Sequence, residues 1–303
     1  MVSHYSYQGA LETSERIHWR IEEIIGGEKR LDFSKPFLPE SLARVQGLEF
    51  LSAEEQRLLN QIRGHEYLAM FGLVEEFILP YVVDHARPKL SGDDYRVRAL
   101  LQFAGEEAKH IHLFKRFREE FKSGFGSQCE FIGPAEEVRN FVLSHSPLGV
   151  AIAILHIEWI TLRHYIEGIR DNQDLDPQFR SLLKHHWLEE SQHTKLDTLI
   201  VEELAAGATA KEIEQGFEEY GEIGNFIDQG IQQQAQFNVE AFVQATGRNL
   251  AKSEREAMEE TLMKGMRWTY LGTGMTHPNF LETVEAIQPK ARNQIEAMAP
   301  AFC

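Results

Sequence analysis

Cysteine is scarce in this chain, which has only two in 303 residues, Cys129 and Cys303. Two thiols are too few for a disulfide scaffold or a thiolate metal site, so we expect a reducing, cytoplasmic compartment. Positive charge is also in short supply, since 31 lysines and arginines stand against 47 aspartates and glutamates, for a net charge of −16. An acidic surface repels nucleic acids and anionic membranes, so neither is expected as a partner.

Long apolar segments are missing as well. No run is long enough to span a bilayer, and the first residues contain no apolar stretch typical of a signal peptide. What the sequence does have is a hydrophobic fraction of 43%, which is ample for a packed core.

Helical hydrophobic spacing runs through most of the chain. Ser52 and Glu55 match a capping box, which predicts that a first helix begins there and continues to about Asp84. Three more helices are predicted at about 94–122, 147–170 and 177–206, and three C-terminal ones near 209–246, 252–271 and 278–298. Gly, Ser and Pro punctuate residues 123–146, which predicts a long connection there.

Short connections within the first and last helix pairs, with a long connection between the pairs, are typical of an all-α, ferritin-like four-helix bundle. We see no flexible linker in the sequence. We therefore expect residues 1–303 to form a single ferritin-like domain, with a metal-binding bundle core at about 53–206. The C-terminal helices at about 209–298 and the N-terminal segment would pack on this core.

One pattern occurs twice along these helices: a glutamate, then Glu-x-x-His thirty-two residues later. Four inward-facing helices that each give one or two such ligands build a carboxylate-bridged dinuclear metal site. A carboxylate on an otherwise apolar helix face needs a partner, because an unpaired buried charge costs several kcal/mol. The six candidate ligands are Glu75, Glu107 and His110 in the first half, and Glu158, Glu190 and His193 in the second.

The ligand from the first helix has two candidates. Glu75 and Glu76 are adjacent, and each lies on its own apolar stripe of that helix. We favour Glu75, because it reproduces the spacing of the second half. A third Glu-x-x-His, formed by Glu15 and His18, has no partner glutamate and is attributed to chance.

His186 lies one turn before Glu190, which gives the order His-x-x-x-Glu-x-x-His on the fourth helix. It can reach the metal site as a third nitrogen ligand, or it can be a core histidine that is hydrogen-bonded to a carboxylate. Beyond the ligands, Asp197 and Tyr165 are candidates to orient them, although Asp197 also suits an ordinary salt bridge.

This order of motifs resembles the ferritin-like di-iron carboxylate proteins. The additional histidine in HHWLEESQH is similar to the arylamine N-oxygenases of the p-aminobenzoate N-oxygenase type. The resemblance covers about residues 60–205 and implies two metal ions with seven ligands. Carried over to this chain, they are Glu75, Glu107, His110, Glu158, His186, Glu190 and His193. The interval from Glu75 to Glu107 is somewhat short for that subfamily.

Mixed carboxylate and imidazole ligands favour two iron ions, with manganese as the other option. The leading hypothesis is an oxidoreductase that uses O2 to oxidise a small organic substrate, such as an amine or an aromatic, beside the bundle-core site. An external electron donor would be required, because the chain carries no flavin or iron–sulfur motif. A homodimer is also considered. The alternatives are a ferritin-like ferroxidase and a metal-free structural helical protein.

Overall fold

The computed structural model describes residues 4–302, so the thiol of Cys303 lies outside the described residues. Within this range the chain is helical, with turns, short 3-10 and π segments and one isolated bridge between Gly26 and Lys29. The helices are α1 (Tyr7–Ser14), α2 (Glu40–Ala43), α3 (Ala53–Ala86), α4 (Asp94–Phe125), α5 (Ala135–Leu143), α6 (Pro147–His164), α7 (Pro177–Gly207), α8 (Ala210–Thr246), α9 (Lys252–Arg267), α10 (Thr273–Met275), α11 (Pro278–Ile287) and α12 (Pro289–Met298).

Helices α3, α4, α6 and α7 form the bundle that positions the candidate ligands. Helix α3 packs along α4, α6 packs along α7, and α4 contacts α7. The two pairs are joined by the long segment between α4 and α6, which contains α5 and packs against α3. This arrangement confirms the predicted all-α, ferritin-like bundle with a long crossover.

Local signals in the sequence set where the bundle helices begin. The Ser52 hydroxyl accepts a hydrogen bond from the Glu55 backbone N–H at 3.2 Å, and the Glu55 carboxylate accepts one from the Ser52 N–H at 2.8 Å. This confirms the predicted capping box. At the start of α7, Asp176 caps the Phe179 N–H at 2.6 Å, and Pro177 occupies the first helical position.

Helix α6 is the most enclosed of the four. It is apolar nearly all round, as expected for a helix that is covered on every side. Its cover comes from α7 within the bundle and from α8, α10 and α11 in the C-terminal part. At its end the α-helix passes into a π-helical turn, Tyr165–Ile169, and such turns often occur near functional sites.

The C-terminal helices differ from the prediction in one place. The helix expected over 278–298 is two helices, α11 and α12, which meet at Gln288. Gln288 is extended, with φ −150° and ψ 97°, because the ring of Pro289 disfavours the helical conformation in the residue before it. Among the described residues, no helix combines the length and apolarity that crossing a membrane requires.

Candidate metal centre

The predicted ligands converge in the interior of the bundle. Ligand atoms of six of the seven form two overlapping quartets, and within each quartet all atoms lie within 4.8 Å of one another. Every member is buried. The first quartet is Glu75, His110, His186 and Glu190, and the second is Glu107, His110, Glu190 and His193. The two quartets share His110 and Glu190, and a shared carboxylate is expected where two neighbouring cations are bound.

The structure distinguishes between the two adjacent glutamates of α3. Glu75 is 3% exposed and its Oε1 lies 2.9 Å from Nε2 of His186. Glu76 is only partly buried, and its carboxylate lies 3.9 Å from Arg139 outside the cluster. Glu75 is therefore the glutamate of this pair that points into the bundle.

His186 belongs to the cluster as well. Its Nε2 lies 2.9 Å from Oε1 of Glu75 and 2.9 Å from Oε1 of Glu190. The neighbouring His185 turns away, because its Nδ1 hydrogen-bonds to the carbonyl of Ser181 at 2.7 Å. Of the two possibilities for His186, the geometry favours a position in the ligand set.

Glu158 is buried but lies outside both quartets. Its carboxyl group hydrogen-bonds to Glu190, and its Oε2 has no hydrogen-bond partner. It therefore borders the second quartet, since it interacts with Glu190, His193 and Glu107.

Unpaired polar atoms provide a test of whether these residues fit a metal. Buried polar atoms in proteins nearly always have hydrogen-bond partners, and each exception calls for an explanation. Nδ1 of His110 lies 3.0 Å from Oε1 of Glu190, yet neither atom has an aligned hydrogen bond. Both carboxylate oxygens of Glu107 lack a hydrogen-bond partner, as does Oε2 of Glu75, although Oε1 of Glu107 lies 2.9 Å from Nδ1 of His193. Oxygen and nitrogen atoms that crowd together without hydrogen bonds fit a site that is built to bind cations between them.

The electrostatics of the cluster lead to the same conclusion. Burial and the neighbouring Glu107 raise the pKa of Glu75 to about 8. Burial and Glu190 raise the pKa of Glu158 well above the usual carboxyl range. Burial also opposes ionisation of Glu190, but His186 and His193 hold its pKa well below the usual range. Without a cation the cluster therefore retains protons, which metal binding would displace.

Two further carboxylates, Glu106 and Glu189, orient the histidines. Oε2 of Glu106 lies 2.9 Å from Nε2 of His193, and Oε2 of Glu189 lies 2.7 Å from Nε2 of His110. In each case the far ring nitrogen is engaged and Nδ1 is left facing the cluster. A carboxylate behind a histidine fixes its tautomer and its ring orientation, as in known metal sites. Sequence reasoning missed both residues, although a second glutamate precedes each Glu-x-x-His.

These carboxylates are themselves held in place. Glu106 accepts hydrogen bonds from Ser14 of α1 and from Gln102, the latter at 2.9 Å. Glu189 pairs with Lys109, whose ammonium group lies 3.9 Å from the ring centroid of Trp19. The N-terminal segment thus contributes to the support of the cluster.

Asp197 and Tyr165, the two candidates to orient the ligands, have different surroundings. Asp197 is 1% exposed, and burial raises its pKa well above the usual carboxyl range, while His193 opposes this shift. It therefore lies beside the cluster. Tyr165 instead stacks on Trp187, with ring centroids 4.8 Å apart.

Aromatic rings pack against the three histidines of the cluster. Phe103 stacks on His193 at a centroid distance of 4.0 Å, and Phe114 meets His186 edge-on at 5.1 Å. The ring of Trp19 lies parallel to that of His110 at 6.2 Å. An apolar surround lowers the local dielectric and strengthens the attraction between carboxylates and a cation.

Comparison with known proteins yields structural neighbours only. No protein-family model matches the chain. A search of curated proteins also finds no match. Among solved structures, the R2-like ligand-binding oxidase with aerobically reconstituted Mn/Fe cofactor (long soak) is 13% identical, with a TM-score of 0.45. That alignment covers 88% of this chain and 92% of the oxidase chain.

Two mutants of the same oxidase are similar to this chain at comparable levels. One, also with an aerobically reconstituted Mn/Fe cofactor, is 15% identical with a TM-score of 0.45, over 88% of this chain and 93% of that one. The other carries the same cofactor and is 12% identical with a TM-score of 0.46, over 88% of this chain and 93% of that one. The candidate site is therefore defined by the ligand pattern and geometry of this chain.

Proposed function

We propose that this chain is a non-haem di-iron oxidoreductase that uses O2 to oxidise a small organic molecule. The observation that carries the proposal is the pair of overlapping, buried quartets of carboxylates and imidazoles with unpaired oxygens. Mixed oxygen and nitrogen donors suit iron or manganese, and no cysteine lies among them. Two ferrous ions bound here would each supply an electron to O2.

The residues divide into two sets around Glu190. Glu75, His110 and His186 would hold one ion, with Nδ1 of His110 directed to it by Glu189. Glu107 and His193 would hold the other, with Glu106 behind His193, and Glu158 beside them would be a further ligand to it. Glu190 belongs to both quartets and would bridge the ions.

Three nitrogen ligands and four carboxylates support the finer proposal of an arylamine N-oxygenase-like enzyme. The distinctive element is His186, which approaches both Glu75 and Glu190 at 2.9 Å. Histidines add electron density to the metal and hold it firmly, while the aromatic surround excludes water. Electrons for turnover would come from a separate donor protein or reductant.

Anaerobic loading with Fe(II), followed by O2 and optical spectroscopy, tests the proposal. We expect about two irons per chain, as in other four-helix carboxylate sites, and a transient visible absorption band after O2 is added. Iron that is oxidised and stored without consumption of an organic substrate would indicate a ferroxidase instead. Binding of a single zinc ion with no reaction with O2 would contradict the proposal, as would the absence of any metal binding.

The shared carboxylate gives a sharper version of this test. Glu190→Ala should reduce iron content strongly, because it removes the oxygen ligands common to both quartets. Glu119→Ala, on the exposed side of α4, is the matched control and should retain the wild-type iron content. Normal iron content in Glu190→Ala would refute the assignment of the ligands.

A further inference from the structure

The two carboxylates that support the histidines of the cluster have partners of different charge. Glu189 forms an ion pair with the ammonium group of Lys109. Glu106 accepts hydrogen bonds from the hydroxyl of Ser14 and from the side-chain amide of Gln102, and both of these donors are neutral. In the described part of the chain, no lysine or arginine lies within 4.0 Å of the Glu106 carboxylate. The two supports are therefore alike in geometry and unlike in charge.

The ammonium group of Lys109 is fixed close to the cluster. It lies 3.9 Å from the ring centroid of Trp19, and the Trp19 ring is parallel to that of His110. Attraction between a cation and an indole face holds the side chain in this position. The Lys109 side chain is only 28% exposed and that of Glu189 only 1%, so water and salt screen this pair less than an exposed one. The charge of Lys109 is therefore a permanent part of the surroundings of His110.

This charge should weaken the support that Glu189 gives to His110. A carboxylate that is hydrogen-bonded to the far nitrogen of a histidine makes that histidine a stronger donor to a metal. A cation on the other side of the same carboxylate draws its negative charge away from the histidine. An iron ion that receives less negative charge is more easily reduced, since Fe(III) needs more of it than Fe(II) does. His193 has no such cation behind its carboxylate and should therefore favour Fe(III) more than His110 does.

The ligands themselves differ in the same direction. The ring centroid of His110 lies 4.5 Å from that of His186 and 5.7 Å from that of His193. Two imidazoles therefore belong with Glu75 and one belongs with Glu107. A neutral imidazole stabilises Fe(III) less than an anionic carboxylate does. Ligands and supports thus both make the position at His110 the more easily reduced of the two.

We propose that Lys109 is a positioning residue that makes the two metal positions unequal. Paired with Glu189, it would keep the ion at His110 the more easily reduced one, without contacting either ion. The first electron from an external donor would then remain on the ion at His110. The proposal rests on the two-iron site of the function proposed above.

A redox titration of the full-length chain measures this inequality directly. The chain, loaded with about two irons and oxidised with O2, is reduced anaerobically with dithionite, which supplies one electron to each Fe(III). A pair with one Fe(II) and one Fe(III) gives a half-integer-spin electron paramagnetic resonance signal that the fully oxidised and fully reduced pairs lack. The size of this signal at half reduction gives the separation of the two reduction potentials.

Lys109→Gln should bring the two potentials closer together, because it removes the charge from one support only. We expect the equilibrium constant for forming the mixed-valence pair to fall about tenfold, which corresponds to about 59 mV. The mean of the two potentials should fall as well, since a positive charge is lost. Lys109→Arg should retain the wild-type signal, because it keeps the charge beside Glu189.

Gln102→Lys is the reciprocal variant. Gln102 donates a hydrogen bond to Glu106 at 2.9 Å from one turn earlier on α4, so a lysine here places a cation behind the support of His193. This variant should also bring the potentials closer together, but it should raise their mean, whereas Lys109→Gln lowers it. Loosening of the fold would not move the mean in opposite directions. Lys115→Gln, at an exposed position on α4, is the control and should keep both wild-type potentials.

The outcomes separate this proposal from the proposed function. If about two irons bind and the separation is unchanged in both Lys109→Gln and Gln102→Lys, the role of Lys109 is refuted and the di-iron function stands. A shift of the mean in the same direction in both variants would also refute it. If Lys109→Gln loses its iron, Gln102→Lys decides, because it leaves the Lys109–Glu189 pair intact. If the expected shifts occur but no organic substrate is oxidised under O2, the role of Lys109 stands and the oxidase function fails. A wild type that binds no iron would overturn both.

Discussion

Oε2 of Glu189 on α7 lies 2.7 Å from Nε2 of His110 on α4. A second pair of this kind has its carboxylate on α4 and its histidine on α7: Oε2 of Glu106 lies 2.9 Å from Nε2 of His193. Each of the two helices thus supplies a histidine to the cluster and a carboxylate to the histidine of the other helix. This reciprocal pairing ties the two halves of the candidate site together.

The supporting carboxylates should control metal affinity without contacting the metal. We expect Glu106→Ala and Glu189→Ala to weaken Mn(II) binding by about 10–100-fold each, because the histidine ring loses its fixed orientation. Free Mn(II) can be followed by its electron paramagnetic resonance signal during titration. Glu119→Ala serves as the control, and unchanged affinity in both test variants would show that these carboxylates have only a packing role.

The two adjacent glutamates of α3 allow a matched comparison. Glu75→Gln should lower metal content, because Glu75 lies in the first quartet, 2.9 Å from His186. Glu76→Gln should leave metal content unchanged, since its carboxylate faces Arg139. Metal analysis after Fe(II) loading measures both. The reverse result would move the ligand of this helix to Glu76.

Much of this site could be predicted from the sequence, because helical periodicity determines which side chains share a face. The stripes on the bundle helices led to Glu107, His110, Glu190 and His193, and all four lie in the second quartet. The capping signal at Ser52 gave the start of α3 to within one residue.

Glu106 and Glu189 were missed for a physical reason. A residue next to a ligand is rotated by about 100° around the helix, so the periodicity argument assigns it to another face. In a bundle that other face meets the neighbouring helix, where the carboxylate reaches the histidine of that helix. A cavity between α3, α4 and the crossover segment, lined in part by Arg118, could not be predicted either, since it depends on how these segments pack together.

His186 and His185 provide a second matched pair. His186→Ala should reduce metal content to about one ion per chain, because His186 belongs to the first quartet alone. His185→Ala should retain the wild-type metal content, since its Nδ1 is engaged with the Ser181 carbonyl. Loss of both ions in His186→Ala would show that the two quartets fill only together. Full metal content would instead make His186 a structural histidine.

The final prediction concerns the stability of the C-terminal part against α6. His156 on α6 accepts a hydrogen bond from the hydroxyl of Tyr220 on α8 at 2.9 Å, and its Nε2 lies 3.2 Å from the carbonyl oxygen of Tyr270. Burial lowers the pKa of His156 to about 4, the Tyr270 carbonyl opposes this shift, and the nearby His277 adds to it. The folded chain therefore holds a neutral histidine where the unfolded chain, with a pKa of about 6.5, takes up a proton.

Between pH 4 and pH 6.5 the unfolded state thus binds more protons at this position than the folded state does. The free energy of unfolding should fall as the pH falls through this window, by up to about 1.4 kcal/mol per pH unit for this one group. Urea unfolding of the metal-free chain at several pH values measures the slope. In His156→Gln the slope should be smaller by about that amount, because glutamine does not titrate.

His112→Gln, at an exposed position on α4, is the control and should keep the wild-type slope. A His156→Gln slope equal to that of the wild type would mean that His156 takes up its proton without unfolding, and that its hydrogen bond to Tyr220 is dispensable.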